Sequence, residues 1–198
     1  MLKITKAGEP EFFSDFKRKV KPKNWDDYTS HHDVKTKLRD YMLENEQDGY
    51  CPYCEKRITN ISKSHIEHIK PKGNPSFQEE FQEYHNLIVS CNSKKTCGTF
   101  KKDQYSEDFI NPVLDNPKEF LTYNIDTGAI LSKKGNSREK ATIRILNLNH
   151  DNLKESRKAF SEELGWLKGN SKEEFQKNLA YYTTYNFKTL LELHLEIY

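Results

Sequence analysis

Long apolar segments are missing from this chain of 198 residues. No run approaches the roughly 20 apolar residues that a membrane-spanning helix needs. The first ten residues, from Met1 to Pro10, also lack the apolar stretch of a secretory signal. We therefore expect no membrane-spanning segment, and we predict a cytoplasmic protein that makes no membrane contact.

Apolar residues are also few overall. Only 34% of the residues are hydrophobic, whereas 31% are charged, which is a low apolar share for a folded chain. The 11 tyrosines and 11 phenylalanines nevertheless argue against disorder, because each ring buries a large area in a core. We therefore expect a folded protein whose stability depends partly on something other than apolar burial.

A large excess of positive charge is likewise missing, since the formal net charge is +2. A value this small does not indicate nucleic-acid binding by itself, so any basic surface must come from local clustering. If the lysines between positions 70 and 102 converge on one face, they would contact phosphates without sequence preference. The alternative is an ordinary solvated face. The lysines in question are Lys70, Lys72, Lys94, Lys95, Lys101 and Lys102.

The chain contains four cysteines, which form two closely spaced pairs. Cys51 and Cys54 are separated by two residues, and Cys91 and Cys97 by five. Cytosolic thiols stay reduced, so two such pairs indicate a tetrahedral structural zinc site rather than disulfides. Zinc binding with an apparent free energy of ~10–16 kcal/mol would compensate for the small apolar content. The alternatives are ordinary buried cysteines or a redox pair.

An acidic residue directly precedes a histidine between the two cysteine pairs, at Glu67 and His68. A carboxylate at the end of a strand can hold a hard divalent cation, and an imidazole beside it can remove a proton from water near neutral pH. Hydrolysis of a phosphodiester needs both functions. The alternative is a surface ion pair.

The spacing of apolar residues predicts an α+β fold in three segments. Residues 1–50 should hold a strand and helices, residues 51–105 the cysteine-bounded module, and residues 106–198 a hairpin followed by a helical region packed with the rest as one unit. Ser30 and Ser171 are predicted helix N-caps, the latter in a capping box with Glu174. The predicted strands are 2–6, 64–69, 86–90, 120–125 and 129–131, and the predicted helices are 12–20, 30–45, 77–84, 98–103, 137–146, 152–167 and 171–193.

The motifs of residues 51–105 together resemble the HNH endonuclease family. The resemblance rests on Cys51-x2-Cys54, Glu67-His68, His85-Asn86-Leu87 and Cys91. It implies a ββα-metal module with zinc knuckles, in which His68 is the general base and Glu67 binds a catalytic Mg²⁺ or Mn²⁺ in place of the usual aspartate. It also implies that Asn86 braces the hairpin loop.

One position departs from the family pattern. Gly98 stands where HNH proteins usually carry a second side-chain ligand for the catalytic metal, while Lys101 stands at the expected place. A glycine offers no side-chain ligand, so another group must complete the shell. The side chains that could do so are His65, His85, Asn92 and Asp103, with phosphate and water as further possibilities.

More narrowly, the chain resembles the HNH proteins associated with retrons and with Septu systems of bacterial antiphage defence. The supporting blocks are Glu46-Gln47, residues 50–55, 66–72 and 86–91, Cys97-Gly98 with residues 101–103, and residues 146–149. The resemblance implies an ABC-type ATPase partner that docks on the C-terminal region. The expected substrate is nucleic acid, with DNA favoured over RNA. The alternative is a module whose catalytic site has decayed, leaving a zinc-dependent nucleic-acid-binding domain or adaptor.

Overall fold

The computed structural model describes residues 1–170 and 172–197, and it shows a mixed α+β chain. The α+β prediction is confirmed. None of the helices in the described ranges combines the length and apolarity that crossing a bilayer demands. In chain order the elements are α1 (Glu11–Val20), α2 (His32–Asn45), β1 (Ser64–His68), β2 (Leu87–Cys91), α3 (Cys97–Lys101), β3 (Leu121–Tyr123), β4 (Ile130–Ser132), α4 (Ser137–Ile145), α5 (Asp151–Asn170), α6 (Lys172–Thr183) and α7 (Lys188–Ile197).

The N-terminal segment begins without the predicted strand at residues 2–6. The backbone N–H groups of Leu2 and Ile4 donate instead to the carbonyls of Pro52 and Pro112, at 2.8 Å each. These acceptors lie in two separate loops, so the segment is extended but pairs with no neighbouring strand. That prediction was wrong because alternation alone does not supply a strand partner.

The helix α2 starts later than predicted, because a 3₁₀ helix at Trp25–Ser30 precedes it. The side chain of Asn24 caps that 3₁₀ helix by accepting from the N–H groups of Asp26 and Asp27. Ser30 therefore ends one helix, and the residue before α2 is His31, whose side chain makes no capping bond. The prediction of Ser30 as N-cap was wrong.

The strands β1 and β2 form an antiparallel hairpin that lies between two hydrophobic clusters. Glu67 pairs with Ile88 and His68 with Leu87, and paired residues share a face of a sheet. Ile88 belongs to a cluster with the cysteines and the C-terminal half, whereas Leu87 belongs to a cluster with α1, α2 and the 3₁₀ helix at Trp25–Ser30. Each residue of β1 therefore faces one cluster or the other by strict alternation.

The free edge of β2 is completed by one side chain rather than by a third strand. The amide nitrogen of Gln47 donates to the carbonyl of Val89 at 2.8 Å, and the amide oxygen of Gln47 accepts from the Val89 N–H at 2.7 Å. A primary amide here reproduces the bond pair that a neighbouring strand would make. Gln47 thus fixes β2 against the end of α2.

The loop between β1 and β2 carries 3₁₀ turns in place of the predicted α-helix at 77–84. One turn spans Pro75–Glu80, where Asn74 caps the start and Phe77 has non-helical dihedral angles that interrupt it. A second turn spans Tyr84–Asn86 and leads directly into β2. The predicted helix was wrong because Pro75 and its Asn cap favour a short turn.

The C-terminal half contains the predicted hairpin, β3 and β4, followed by helices. The predicted last helix is divided into α6 and α7, because Phe187 adopts a left-handed backbone with φ of 62° and donates its N–H to the carbonyl of Glu55 at 2.9 Å. Residues of α5, α6 and α7 enclose a third hydrophobic cluster that includes Phe187. The predicted cap at Ser171 lies outside the described residues.

Glu55 ties the knuckle at residues 51–57 to the C-terminal helices. Its buried carboxylate accepts from the N–H and hydroxyl of Thr189 at 2.8 and 2.5 Å, from the hydroxyl of Tyr123 at 2.6 Å, and from the amino group of Met1 at 2.5 Å. Burial opposes ionisation, but these donors outweigh it and lower the pKa of Glu55 to about 2.

We predict that Glu55→Gln lowers the free energy of unfolding by about 2–4 kcal/mol, because an amide leaves buried donors without an anionic acceptor. Urea denaturation followed by circular dichroism measures this loss. Glu155→Gln is the matched control, since Glu155 is exposed and should change stability by less than about 0.5 kcal/mol. Equal stability of the two variants would contradict the role given to Glu55.

Candidate metal centre and catalytic site

Four sulfur atoms meet where the knuckle, β2 and α3 come together. The Sγ atoms of Cys51, Cys54, Cys91 and Cys97 all lie within 4.8 Å of one another. Those of Cys54 and Cys91 are 3.8 Å apart, which is too far for a disulfide. Zinc–sulfur bonds of about 2.3 Å in a tetrahedron place the sulfurs roughly 3.8 Å apart. The four cysteines can therefore hold a zinc ion, as their spacing predicts.

The thiols of this cluster cannot all ionise without a cation. Burial opposes the thiolate of Cys51, but hydrogen bonds from the other three thiols outweigh burial and lower the pKa of Cys51. Hydrogen bonding to the Cys51 sulfur in turn raises the pKa of Cys54 and of Cys97. The thiols thus oppose one another's ionisation, and a divalent ion bound among them would favour the thiolate form of each.

The side chains of His65 and Glu67 project from one face of β1 towards α3. Glu67 is 7% exposed, and its Oε2 lies 3.3 Å from Nε2 of His65. Its Oε1 accepts from the ammonium of Lys101, which is fully buried, at 2.9 Å. Glu67 therefore meets His65, two residues upstream on the same face, while the side chain of His68 leaves the other face of the strand.

The tautomer of His65 is fixed by Asn92. The amide nitrogen of Asn92 donates to the carbonyls of Ser62 and Ser64 at 3.3 and 3.4 Å, so its oxygen must face His65. Nδ1 of His65 donates to that oxygen at 2.7 Å. In the neutral ring, Nε2 then presents a lone pair to the carboxylate of Glu67. Two such acceptors at 3.3 Å need a shared positive charge, either a proton or a metal ion.

The charges of this pair support each other despite burial. Burial alone would lower the pKa of His65, but its contacts with Glu67 and Asn92 raise that pKa. Burial alone would raise the pKa of Glu67, but His65 and Lys101 lower it. The carboxylate is thus ionised and positioned to bind a cation.

Gly98 leaves room for the side-chain carboxylate of Glu67. A Cβ atom at this position would lie 2.6 Å from Oε2 of Glu67 and 3.0 Å from Nε2 of His65. The N–H of Gly98 donates to the hydroxyl of Ser90 at 3.2 Å, which keeps the start of α3 against the hairpin. Any side chain here would displace the pair, so the glycine lets helix and carboxylate approach closely.

His68 lies on the opposite face of β1, in a buried setting of its own. Its Nε2 donates to the carbonyl of Phe81 at 2.9 Å, and its ring meets the edge of Trp25 with centroids 4.5 Å apart. Nδ1 takes part in no hydrogen bond with the residues that the structure describes, and it is left as the basic nitrogen. Burial chiefly lowers the pKa of His68 to about 4, so the ring is neutral near pH 7.

Asn86 binds both sides of the loop that joins β1 to β2. Its amide oxygen accepts from the N–H of Lys70 at 2.7 Å, and its amide nitrogen donates to the carbonyls of Lys70 and Glu80 at 3.0 and 3.1 Å. Three of the four hydrogen bonds that this amide can make are used within the loop. The side chain therefore holds the loop closed next to His68, which ends β1.

The other predicted ligands are placed differently. Asn92 contacts His65, as described, but His85 is exposed and its ring meets only the neighbouring Tyr84 among the described residues. The carboxylate of Asp103 packs against the backbone of Gly73, away from Glu67. No third His, Cys, Asp or Glu within the described ranges brings a ligand atom within 4.8 Å of both His65 and Glu67.

The lysines predicted to contact nucleic acid differ in their exposure and in their partners. Lys101 lies in the interior, where its ammonium binds Glu67 and the carbonyl of His68 at 2.9 Å, so it presents no charge to solvent. Lys70 pairs with Glu80 at 2.8 Å. The remaining members of the set, Lys72, Lys94, Lys95 and Lys102, are exposed.

Several basic residues near His65 were not among the sequence predictions. A groove beside His65 is lined by Lys35 and Arg39 of α2, and a second groove beside Asn92 is lined by Lys56, Arg57 and Lys63. Lys56 and Arg57 follow the first cysteine pair after one intervening residue, Glu55, and this nearness in sequence was the available signal. The placement of α2 required the tertiary structure.

We predict about one tightly bound zinc per chain, and loss of that zinc with loss of cooperative unfolding in Cys54→Ser. Metal analysis of purified protein and thermal denaturation measure both. Ser90→Ala is the control, because the Ser90 hydroxyl touches the Cys51 sulfur at 3.7 Å without being a thiol, and it should retain the zinc. A folded, zinc-free wild-type preparation would overturn the metal assignment.

We predict that Gly98→Ala destabilises the fold by about 1–3 kcal/mol, since the methyl group collides with the Glu67 carboxylate. Gly165→Ala is the matched control: it lies within α5 with nothing within 4 Å of an added Cβ, and it should stabilise by about 0.5–1 kcal/mol. Urea denaturation compares them. A Gly98→Ala protein as stable as wild type would contradict the close approach.

Comparison with known proteins shows a distant relation to a curated protein. No protein-family model matches the chain. The chain is similar to the Septu protein PtuB of Bacillus mycoides (strain KBAB4), with 26% identity over 153 residues, covering 62% of this chain and 50% of that protein. The chain thus spans about half the length of the curated relative that it matches. At this identity the similarity supports a distant relation to a Septu protein.

Proposed function

We propose that the chain is a metal-dependent endonuclease of the HNH type, in which β1, β2 and α3 form the ββα-metal module. The observation that carries this proposal is the contact between Glu67 and His65. A buried carboxylate oxygen and an imidazole nitrogen lie 3.3 Å apart, and the other imidazole nitrogen is hydrogen-bonded to Asn92. This is the arrangement in which histidine ligands are oriented by a second hydrogen bond.

The donor set fits Mg²⁺ or Mn²⁺. Glu67 would supply a carboxylate oxygen and His65 an imidazole nitrogen, and such ions keep several water or phosphate ligands in nuclease sites. Gly98 contributes no ligand but leaves the space open. When bound, the ion supplies charge stabilisation at the phosphate and at the leaving oxygen.

His68 is proposed as the general base. Because Nε2 donates to the carbonyl of Phe81, a proton taken from water would go to Nδ1. The ammonium of Lys101 donates to both the Glu67 carboxylate and the backbone carbonyl of His68, at 2.9 Å each, which supports a common site at the end of β1. The neutral ring is in the protonation state that a base needs. Asn86 would keep the loop, and hence Phe81, in place by its bonds to Lys70 and Glu80.

The biological setting is proposed from the Septu relative. A component of antiphage defence that cleaves nucleic acid would need restraint until infection, and an ABC-type ATPase partner would supply it, docked on residues 106–198. Co-purification of the ATPase with a tagged chain tests this part. The substrate is DNA or RNA, since a base and a cation attack any phosphodiester placed within reach.

We predict that Glu67→Gln and His68→Ala each lower cleavage at saturating Mg²⁺ or Mn²⁺ by roughly 10²–10⁴-fold, because one removes the anionic ligand and the other the base. Nicking of plasmid DNA and cutting of labelled RNA by zinc-loaded protein, with and without the ATPase, measure the activity. His85→Ala is the control, since His85 is an exposed histidine of the same module. Circular dichroism checks that each variant is folded.

The second candidate is a nucleic-acid-binding or adaptor module without catalysis, and the absence of a side-chain ligand at Gly98 favours it. It would show no cleavage by the wild-type protein under any of these conditions while binding persists. Cleavage that survives Glu67→Gln undiminished in a clean preparation would refute the assigned site. Cleavage lost only in the two site variants would exclude the non-catalytic candidate.

A further inference from the structure

Two grooves on the surface beside the knuckle share three lining residues. One groove is lined by Tyr181 and Tyr185 with Lys56, Arg57 and Thr59, and the next by the same three residues with Lys63 and Asn92. Because three lining residues are common to both, the two grooves adjoin, and together they extend from the end of α6 to Asn92. We call the two together the knuckle groove.

The knuckle groove ends at the candidate catalytic site. Asn92, at its end, is hydrogen-bonded to His65 at 2.7 Å. His65 in turn lines a groove on the far side, together with Lys35 and Arg39. A chain lying in the knuckle groove would therefore pass His65 and continue between two further cations.

The charged residues that line this route are basic. They are Lys35, Arg39, Lys56, Arg57 and Lys63, and none of the lining residues is an aspartate or glutamate. Arg39 is paired with the neighbouring Asp40 at 3.3 Å, and His65 contacts Glu67, so the positive charge of the lining is least offset in the knuckle groove, at Lys56, Arg57 and Lys63. The whole chain, by contrast, carries 30 acidic and 32 basic residues. A route lined in this way attracts a polyanion.

The tyrosines at the other end offer ring faces rather than charge. Tyr181 is 57% exposed and Tyr185 is 40% exposed, although both are large aromatic residues. Tyr185 stacks on Phe160 with centroids 5.7 Å apart and an interplanar angle of 17°, and it also contacts Tyr181. A ring supported on one face and open elsewhere is a rigid platform for a flat group.

The end of α6 and the turn that follows it, which carry these two tyrosines, are fastened to the knuckle. The guanidinium of Arg57 donates to the carbonyl of Thr184 at 2.9 Å, and the N–H of Arg57 donates to the side chain of Asn186 at 2.7 Å. The distance between the aromatic platform and the zinc cluster is therefore set by the fold.

We propose that the knuckle groove binds a single strand of nucleic acid, with bases on Tyr181 and Tyr185 and phosphates along Lys56, Arg57 and Lys63, and that it leads this strand past His65. Aromatic platforms beside a basic groove suit unpaired bases, whose faces are free to stack, whereas a duplex keeps its base faces covered. That the bound strand leads to His65 rests on the proposed function, whereas the binding of the strand to the groove does not.

The test measures binding apart from cleavage. Fluorescence anisotropy with zinc-loaded Glu67→Gln protein and no added Mg²⁺ compares a labelled oligothymidylate, an oligouridylate and a duplex of the same length. We expect the single strands to bind more tightly than the duplex. Adding Tyr181→Ala and Tyr185→Ala should weaken single-strand binding at least about 5-fold for each lost stack. The two single strands show whether DNA or RNA is preferred.

The controls separate ring stacking from other causes. Tyr181→Phe with Tyr185→Phe keeps both rings and should bind as tightly as the parent, and Leu114→Ala removes an exposed apolar side chain outside the groove and should also bind normally. Lys63→Gln should reduce the dependence of log affinity on log salt by about 0.7.

Three results would overturn the proposal: an unchanged affinity in the double alanine variant, an equal loss for the duplex, or loss of ATPase association in that variant with strand binding intact. Wild-type protein that binds strands through the tyrosines but never cleaves would refute the proposed function and leave the groove assigned. Cleavage by the wild-type protein, together with strand binding that is unchanged in the double alanine variant, would refute the groove assignment and leave the proposed function standing.

Discussion

The four-cysteine cluster determines where every part of the candidate site lies. Cys91 ends β2 and Cys97 begins α3, while Cys51 and Cys54 belong to the knuckle. The convergence of these cysteines brings the helix against the hairpin, and Gly98, the next residue after Cys97, lies close to Glu67. Since apolar residues make up only 34% of the chain, a zinc ion held by the four sulfurs would add rigidity to this region.

The two faces of the β1–β2 hairpin carry different candidate functional side chains. The face towards α3 carries His65 and Glu67, whose charges are balanced by the buried ammonium of Lys101. The other face carries His68, neutral and held by Phe81 and Trp25. A facing histidine–carboxylate pair and a neutral histidine thus arise from one strand of five residues, because alternation sends neighbouring side chains to opposite faces.

The sequence correctly predicted those features that depend only on residue spacing along the chain. The pairing of cysteines at 51, 54, 91 and 97 predicted their convergence, and period-two alternation placed His65 on the face of Glu67. The pattern could not show that Lys101 is buried, because a lysine enters the interior only when tertiary structure supplies a carboxylate for it. It also missed the break before α7, where the left-handed Phe187 is held by a bond to the distant Glu55.

Anomalous diffraction at the manganese edge, from crystals of the zinc-loaded protein soaked in Mn²⁺, tests the central claim most directly. The account predicts a manganese peak within bonding distance of Oε2 of Glu67 and Nε2 of His65, separate from a zinc peak among the four sulfurs. A zinc peak with no manganese between these two side chains at saturating Mn²⁺ would contradict it, and the facing pair would then be an ion pair that shares a proton.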